Sequence, residues 1–264
     1  MIEKFSIQLI FAFKKTGIAS MSISLNKYIS DTGFCSRRKA DQYIEEGRVT
    51  INGTQAQKGN RVLENDVVFI DGEPLKMKPA AVYIMLNKPK GITCTTDLKD
   101  KTNIIDFINY KSRIFPIGRL DKLSEGLIFL TNDGDIVNKI LRSDNNHEKE
   151  YVVVTDKAIT EGFVNSMRNG ISLSGIVTKK CFVKQEGKNI FRIILTEGLN
   201  RQIRRMCAKL EYKVISLKRV RIMNITLHGL PPGKWRHFSP KEISEINSLV
   251  VHSSKTAGDE SMGE

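Results

Sequence analysis

Four cysteines, four histidines and one tryptophan in 264 residues leave little material for metal sites or a disulfide framework. Cys35, Cys94, Cys181 and Cys207 are far apart, show no Cys-x-x-Cys spacing, and have no cluster of His147, His228, His237 and His252 beside them. No zinc-type ligand set or cross-linked secreted scaffold follows, and the cysteines are expected to act as small apolar residues in a reducing cytosol. A membrane-spanning run is also missing near the N-terminus. The apolar stretch from Phe5 to Phe13 falls short of the roughly twenty residues a spanning helix needs. Lys14 and Lys15 follow it, whereas a secretory signal carries its positive charge in front. Residues 1–21 are therefore expected to be a disordered leader, or untranslated with Met21 as the start. Acidic residues are scarce as well: 29 Asp or Glu stand against 42 Lys or Arg, a formal charge of +13 that points to a polyanionic partner.

The placement of that surplus says more than its size. Residues 151–238 hold 17 Lys or Arg against 5 Asp or Glu, whereas residues 22–76 hold 8 of each and residues 77–150 hold 12 against 10. A cationic surface serving only solubility would spread evenly, so the clustering favours a nucleic-acid track. At 40% hydrophobic residues the protein can bury an ample core in one large or two smaller domains.

From Ser24 the apolar spacing of Leu25, Tyr28 and Ile29 predicts a short helix stopped by Gly33. Ser36 fits the N-cap of a second helix, Arg37 to Glu46, with Ala40, Tyr43 and Ile44 on its apolar face. Val49-Thr50-Ile51 runs into the hairpin signal Asn52-Gly53, and Asp66 to Asp71 alternates as a strand. This order of two short helices and a small sheet, residues 22–72, resembles the S4 RNA-binding domain. Arg37, Arg38 and Lys39 at the second helix's start oppose its dipole, which favours a bound phosphate over a merely solvated turn. Residues 73–81 carry two prolines and no periodicity, and are expected to be a linker.

Beyond the linker, residues 82–251 read as an α+β domain with a largely antiparallel sheet. Strands are expected at 82–87, 127–131, 151–155, 178–184, 190–196, 213–217 and 222–227, and helices at 135–142, 160–169, 201–211 and 240–251. The tail, residues 252–264, is Ser-, Gly- and Glu-rich and is expected to be disordered.

Four motifs lie in order along this second domain: Asn87-Lys88-Pro89-Lys90-Gly91, Gly118-Arg119-Leu120-Asp121, Lys149-Glu150-Tyr151, and Glu197 to Met206 containing Arg201-Gln202-Ile203-Arg204-Arg205. Together they resemble the RsuA/RluB/RluE/RluF family of ribosomal RNA pseudouridine synthases over roughly residues 22–240. The surroundings Phe115-Pro116-Ile117-Gly118, Thr131-Asn132-Asp133-Gly134 and Val177-Thr178-Lys179-Lys180 look most like its RluF branch. The resemblance implies a substrate in 23S ribosomal RNA, or in an assembly particle, with 16S RNA as the alternative within the class. A binding factor without catalysis is the alternative outside it. It implies no cofactor and no metal, because isomerising uridine changes no oxidation state.

The resemblance makes Asp121 the catalytic carboxylate, acting at C1′ or C2′ of a flipped nucleotide, where sugar chemistry develops positive charge. Read alone, an Asp before a strand is more readily a turn cap than a catalyst. Arg204 is implied to be the positive partner of Asp121, and Arg119 to fill the space a flipped nucleotide leaves. Tyr151 is implied to stack on the uracil and Leu217 to form an apolar wall beneath it. Lys149 is assigned to a phosphate, and Lys88 to substrate, to a solvated turn or to propping the loop. In the helix predicted over 201–211, Ile203, Met206, Cys207 and Leu210 form an apolar stripe and leave Arg201, Arg205 and Lys209 on the other side. With Lys218, Arg219 and Arg221 nearby, these cations are expected to line an RNA backbone track. A monomer is the default.

Overall fold

The computed structural model describes residues 22–76, 78–142 and 145–253; the expectations for residues 1–21 and for the tail beyond residue 253 lie outside them. The protein divides between Pro79 and Ala80 into two compact units. None of the described helices is long and apolar enough to cross a membrane.

The first unit runs β1 (Ile23–Ser24), α1 (Leu25–Asp31), α2 (Arg37–Glu45), β2 (Val49–Ile51), β3 (Thr54–Gln55), β4 (Arg61–Val62), β5 (Val68–Ile70) and β6 (Glu73–Pro74). Ser36 caps α2 by accepting a hydrogen bond from the Lys39 backbone N–H at 3.2 Å. Asn52 and Gly53 both take positive φ, 51° and 81°, which suits the tight turn joining β2 to β3. Leu25, Ile29, Ala40, Ile44, Val49 and Val68 bury together between the helices and the sheet. The expected linker starts too early: Glu73–Pro74 pairs with Phe69 and Ile70, extending the small sheet.

The second unit continues with β7 (Tyr83–Lys88), α3 (Ile104–Ile108), β8 (Phe115–Ile117), β9 (Glu125–Thr131), α4 (Gly134–Leu141), β10 (Lys149–Thr155), α5 (Glu161–Asn169) and the hairpin β11 (Ser172–Leu173) and β12 (Ile176–Val177). It closes with β13 (Phe182–Gly187), β14 (Ile190–Leu195), α6 (Gln202–Lys209), β15 (Val214–Ile222), β16 (Ile225–Thr226), β17 (Trp235–His237) and α7 (Pro240–Leu249). A nine-stranded sheet has the order β13-β14-β10-β15-β9-β7-β17, with β16 on β15 and β8 on β9. Every pairing is antiparallel except β9 with β15.

Alternation along the central strands sorts the core. Met85, Leu127 and Phe129 join the α4 and α7 side, while Ile84, Leu86, Ile128 and Leu130 join the α3 side. A third cluster packs α5 and α6 against Val153, Phe191, Ile193 and Leu217. Tyr151 touches both the second and the third of these clusters, so it sits at their seam.

Three expectations need correction. The strand expected over 178–184 begins at Phe182, because the Thr178 hydroxyl and the Cys181 N–H bond instead to Ile171 N–H and Arg168 C=O beside α5. The strands expected over 213–217 and 222–227 are one continuous β15 followed by the two-residue β16. The elements α3, β8 and β17 were not expected at all.

Candidate active site

Asp121 lies in the turn that leads into β9. The Ser124 N–H donates to the backbone carbonyl of Asp121 at 2.9 Å, so the turn closes without the carboxylate. The side chain, 29% exposed, is faced by Arg201 Nη1 at 3.4 Å and Arg204 Nε at 3.6 Å, both toward Oδ2. The turn-cap alternative therefore fails, and the carboxylate is left to the cleft. That cleft is also lined by Arg119, Tyr151, Leu217 and Ile203.

The turn is fixed from several sides. Arg204 Nη2 donates to Ser124 Oγ at 3.1 Å and to Leu123 C=O at 3.4 Å, and its Nη1 to Val214 C=O at 3.3 Å. One guanidinium thus ties α6, β15 and the Asp121 turn together, as a planar fork of donors can. Arg201 has φ 50°, a left-handed backbone, immediately before α6. A non-glycine residue held there is strained, and here the strained residue's side chain faces Asp121. Arg201 stays exposed, on the outward basic face its spacing set, while its guanidinium also approaches the carboxylate.

Gly126 shows why the motif after Asp121 needs a glycine. Its φ is +107°, and a Cβ there would stand 2.1 Å from the Arg219 C=O across the parallel β9–β15 pair. No other residue allows the two strands this close approach.

Three expected contact cations are inside the protein. Lys88 is 0% exposed and donates from Nζ to Pro89 C=O at 2.9 Å and Ile92 C=O at 2.8 Å. The same loop's Gly91 N–H donates to Lys122 C=O at 2.8 Å, so Lys88 props the loop that holds the Asp121 turn. Burial pushes the Lys88 ammonium's pKa down. Arg219 is 5% exposed, donates from Nε to Leu127 C=O at 2.6 Å, and keeps a buried Nη2 without a hydrogen-bond partner among the described residues. It cannot lie on an outer RNA track. Lys149 is 7% exposed and donates to His147 C=O at 3.0 Å. Burial first, then the nearby charge of Arg219, lower its pKa to about 8. The expected Arg221 contact is also spent, since its guanidinium bonds Glu148 and Glu150.

The remaining expected contacts are more open. Arg119 is exposed, with no hydrogen-bond or ion-pair partner among the described residues, and Lys218 is half-buried. Arg205 donates to Ser174 Oγ at 2.8 Å, linking α6 to the β11–β12 hairpin. Arg37, Arg38 and Lys39 are exposed at the start of α2.

Sequence reasoning did not weigh Glu197 or Gln202. Both are buried and both line the cleft, with Gln202 Nε2 donating to Glu197 Oε1 at 2.5 Å. The available signal was a polar pair directly after the apolar strand β14 and at the start of α6. Among the described residues no group of three or more His, Cys, Asp or Glu is placed to hold a metal.

Residues 82–209 match the RNA pseudouridylate synthase family, and residues 24–68 match the S4 domain. The dual-specificity RNA pseudouridine synthase RluF of Escherichia coli K12 is 53% identical over 88% of this sequence and 81% of its own length. The chain belongs to the RNA pseudouridine synthase family. A more distant relative, the ribosomal large subunit pseudouridine synthase B of Bacillus subtilis, is 33% identical over 86% of this sequence and 97% of its own. A solved pseudouridylate synthase covers 86% of this sequence and 99% of its own at TM-score 0.63 and 29% identity. The protein is thus an RNA pseudouridine synthase with an N-terminal S4 domain. Asp121 and the Arg201–Met206 segment fall inside the matched catalytic region.

Proposed function

We propose that this synthase isomerises uridine to pseudouridine in 23S ribosomal RNA, free or in an assembly particle, as a cytoplasmic monomer. The carrying observation is the Asp121 carboxylate: it accepts no backbone bond among the described residues, opens onto a cleft of mixed polar and apolar lining, and faces two guanidinium groups. A carboxylate so placed can meet positive charge developing at the sugar, by attacking C1′ or by taking the C2′ proton. Arg204 holds the carboxylate and its turn in register. Tyr151 stacks on the flipped uracil, Leu217 closes the pocket beneath it, and Arg119, reaching free into solvent, enters the space the nucleotide vacates.

The name of the Bacillus relative supports the large ribosomal subunit as substrate. The words dual-specificity in the name of the Escherichia coli relative favour a second RNA substrate in addition. The S4 domain docks structured RNA through Arg37, Arg38 and Lys39, and Arg201, Arg205 and Lys218 follow the backbone near the cleft.

The test is incubation of the purified protein with unmodified 23S and 16S RNA, followed by carbodiimide labelling and primer extension. A new stop in 23S RNA is expected, absent when Asp121→Asn replaces the wild type. A stop confined to 16S RNA would overturn the substrate, and turnover by Asp121→Asn would overturn the role of the carboxylate.

A further inference from the structure

We propose that Glu197 accepts the N3–H of the target uracil and serves as the pivot about which the detached base turns. The inference rests on the reading of the Asp121 cleft as the place where the base is isomerised.

Glu197 follows β14 by two residues, is 9% exposed, and lines the same cleft as Asp121 and Tyr151. Its two oxygens are used unequally. Oε1 accepts from the Lys179 N–H at 3.0 Å and from Gln202 Nε2 at 2.5 Å. Oε2 has no partner among the described residues, yet it is not one of the buried polar atoms sealed in without a partner. Gln202 cannot turn away, because its own carbonyl accepts from the Leu199 N–H at 3.1 Å. The carboxylate is therefore clamped by one oxygen, and the other is left unbonded in a residue that lines the cleft. A purely structural acid would need only the first.

A buried carboxylate is costly unless its acceptors are matched by donors. Uracil offers one ring donor, N3–H, between two carbonyl acceptors, and Tyr151 and Leu217 supply flat and apolar walls on the same cleft. The reaction gives that donor a particular use. The C1′–N1 bond breaks with its electron pair on the ring, and C5 must then bond to C1′ and release its proton. A half-turn about the axis through N3 and C6 exchanges N1 with C5 and leaves N3 in place. An acceptor on N3–H thus keeps its bond before, during and after the turn, whereas contacts to the two carbonyls must exchange. The negative charge also pushes electron density into the ring, which favours attack by C5. The two guanidinium groups facing Asp121 offset its opposition to departure of the ring.

Glu197→Gln reverses only what faces the base, since an amide oxygen can keep the bonds to Lys179 and Gln202 while NH2 replaces Oε2. The experiment uses a synthetic RNA stem–loop of the modified site with uridine or 3-deazauridine, in which C–H replaces N3–H, at the target. Single-turnover rates are read by nuclease digestion and chromatography with mass spectrometry, alongside thermal melts. Pseudouridine formation by the wild type on uridine tests the activity itself, independently of any role for Glu197. Losing a hydrogen bond to a charged group is expected to slow the wild type by roughly tenfold to a hundredfold on 3-deazauridine, beyond any loss seen with Glu197→Gln. The variant is slow on uridine and nearly indifferent to the deaza substitution. Equal fold-losses in both proteins would overturn the proposal, as would a wild type that turns over 3-deazauridine at the uridine rate. Should Glu197→Gln fail to melt cooperatively, Glu197→Ala completes the same cycle.

Discussion

The cations at the start of α2 and those around the Asp121 turn look alike in sequence and differ in kind. Arg37, Arg38 and Lys39 are exposed on a helix terminus, whereas Lys88, Lys149 and Arg219 are buried and Arg204 is largely enclosed. An exposed cation can exchange its water for a phosphate at little cost, and its worth falls with salt. A buried one has already lost that water, so it stays only where carbonyls or carboxylates receive it. The first group can attract RNA. The second is spent on backbone carbonyls inside the fold before any RNA arrives.

Breaking the enclosed group at its anion should have the largest effect. Asp121→Asn keeps size and removes charge, so folding and RNA binding should persist while turnover falls roughly 10⁴-fold or more; single-turnover assays and a binding titration check both. Gly126→Ala should be the most disruptive to the fold. It pushes a methyl group to within 2.1 Å of the Arg219 C=O at a positive φ, and should cost about 3 kcal/mol or more in urea unfolding. Arg204→Lys sharpens the comparison, because it keeps the charge and loses the fork that ties Leu123, Ser124 and Val214. A kcat about a hundredfold lower with unchanged salt dependence is expected. A mere counter-charge would tolerate lysine.

Lys149 tests the burial argument through pH. Its pKa in the folded protein, about 8, lies below the ordinary 10.5 of the unfolded state. At pH 7 both states carry the proton and the folded state bears the full penalty of an ammonium out of water. Between about pH 8 and 10.5 the unfolded state binds more protons, so this group's contribution to stability rises with pH. Lys149→Met should therefore be more stable than the wild type at pH 7 by up to about 3 kcal/mol, an advantage that shrinks as the pH passes from 8 to 10.5. Thermal melts across that range decide it.

The same contrast explains what could be read in advance. Ser36 as a cap, the Asn52-Gly53 turn and the stripe of Ile203, Met206 and Cys207 are local signals, and each appears where expected. Asp121 stood out because an acid among basic motifs is unusual, and the family pattern gave it meaning. Lys218-Arg219 looked like the end of a strand, because a charged pair normally faces water. Here Arg219 turns inward to Leu127 C=O, and β15 runs on to Ile222. Glu148 and Glu150, about seventy residues before Arg221, neutralise it, so a count of neighbouring acids could not have found them. Burial of a cation is decided by partners distant in sequence, and those are set by the sheet order.

The smallest effect belongs to the exposed group. Arg37 and Arg38 are exposed, with no acid, carbonyl or aromatic partner among the described residues, so neutralising them breaks no contact in the fold. Their position in the first turn of α2 opposes the helix dipole, and Arg37→Gln with Arg38→Gln should raise stability by roughly 0.5 kcal/mol. If the pair contacts phosphates, the log–log salt slope of RNA affinity should become shallower by about 1.5, and the loss should appear in KM rather than in kcat. Filter binding at salt concentrations from about 50 to about 300 mM measures it. A shallower slope would assign docking to the S4 unit, whereas an unchanged slope with a gain in stability would make these cations ordinary surface charge and move the docking track to Arg201, Arg205 and Lys218.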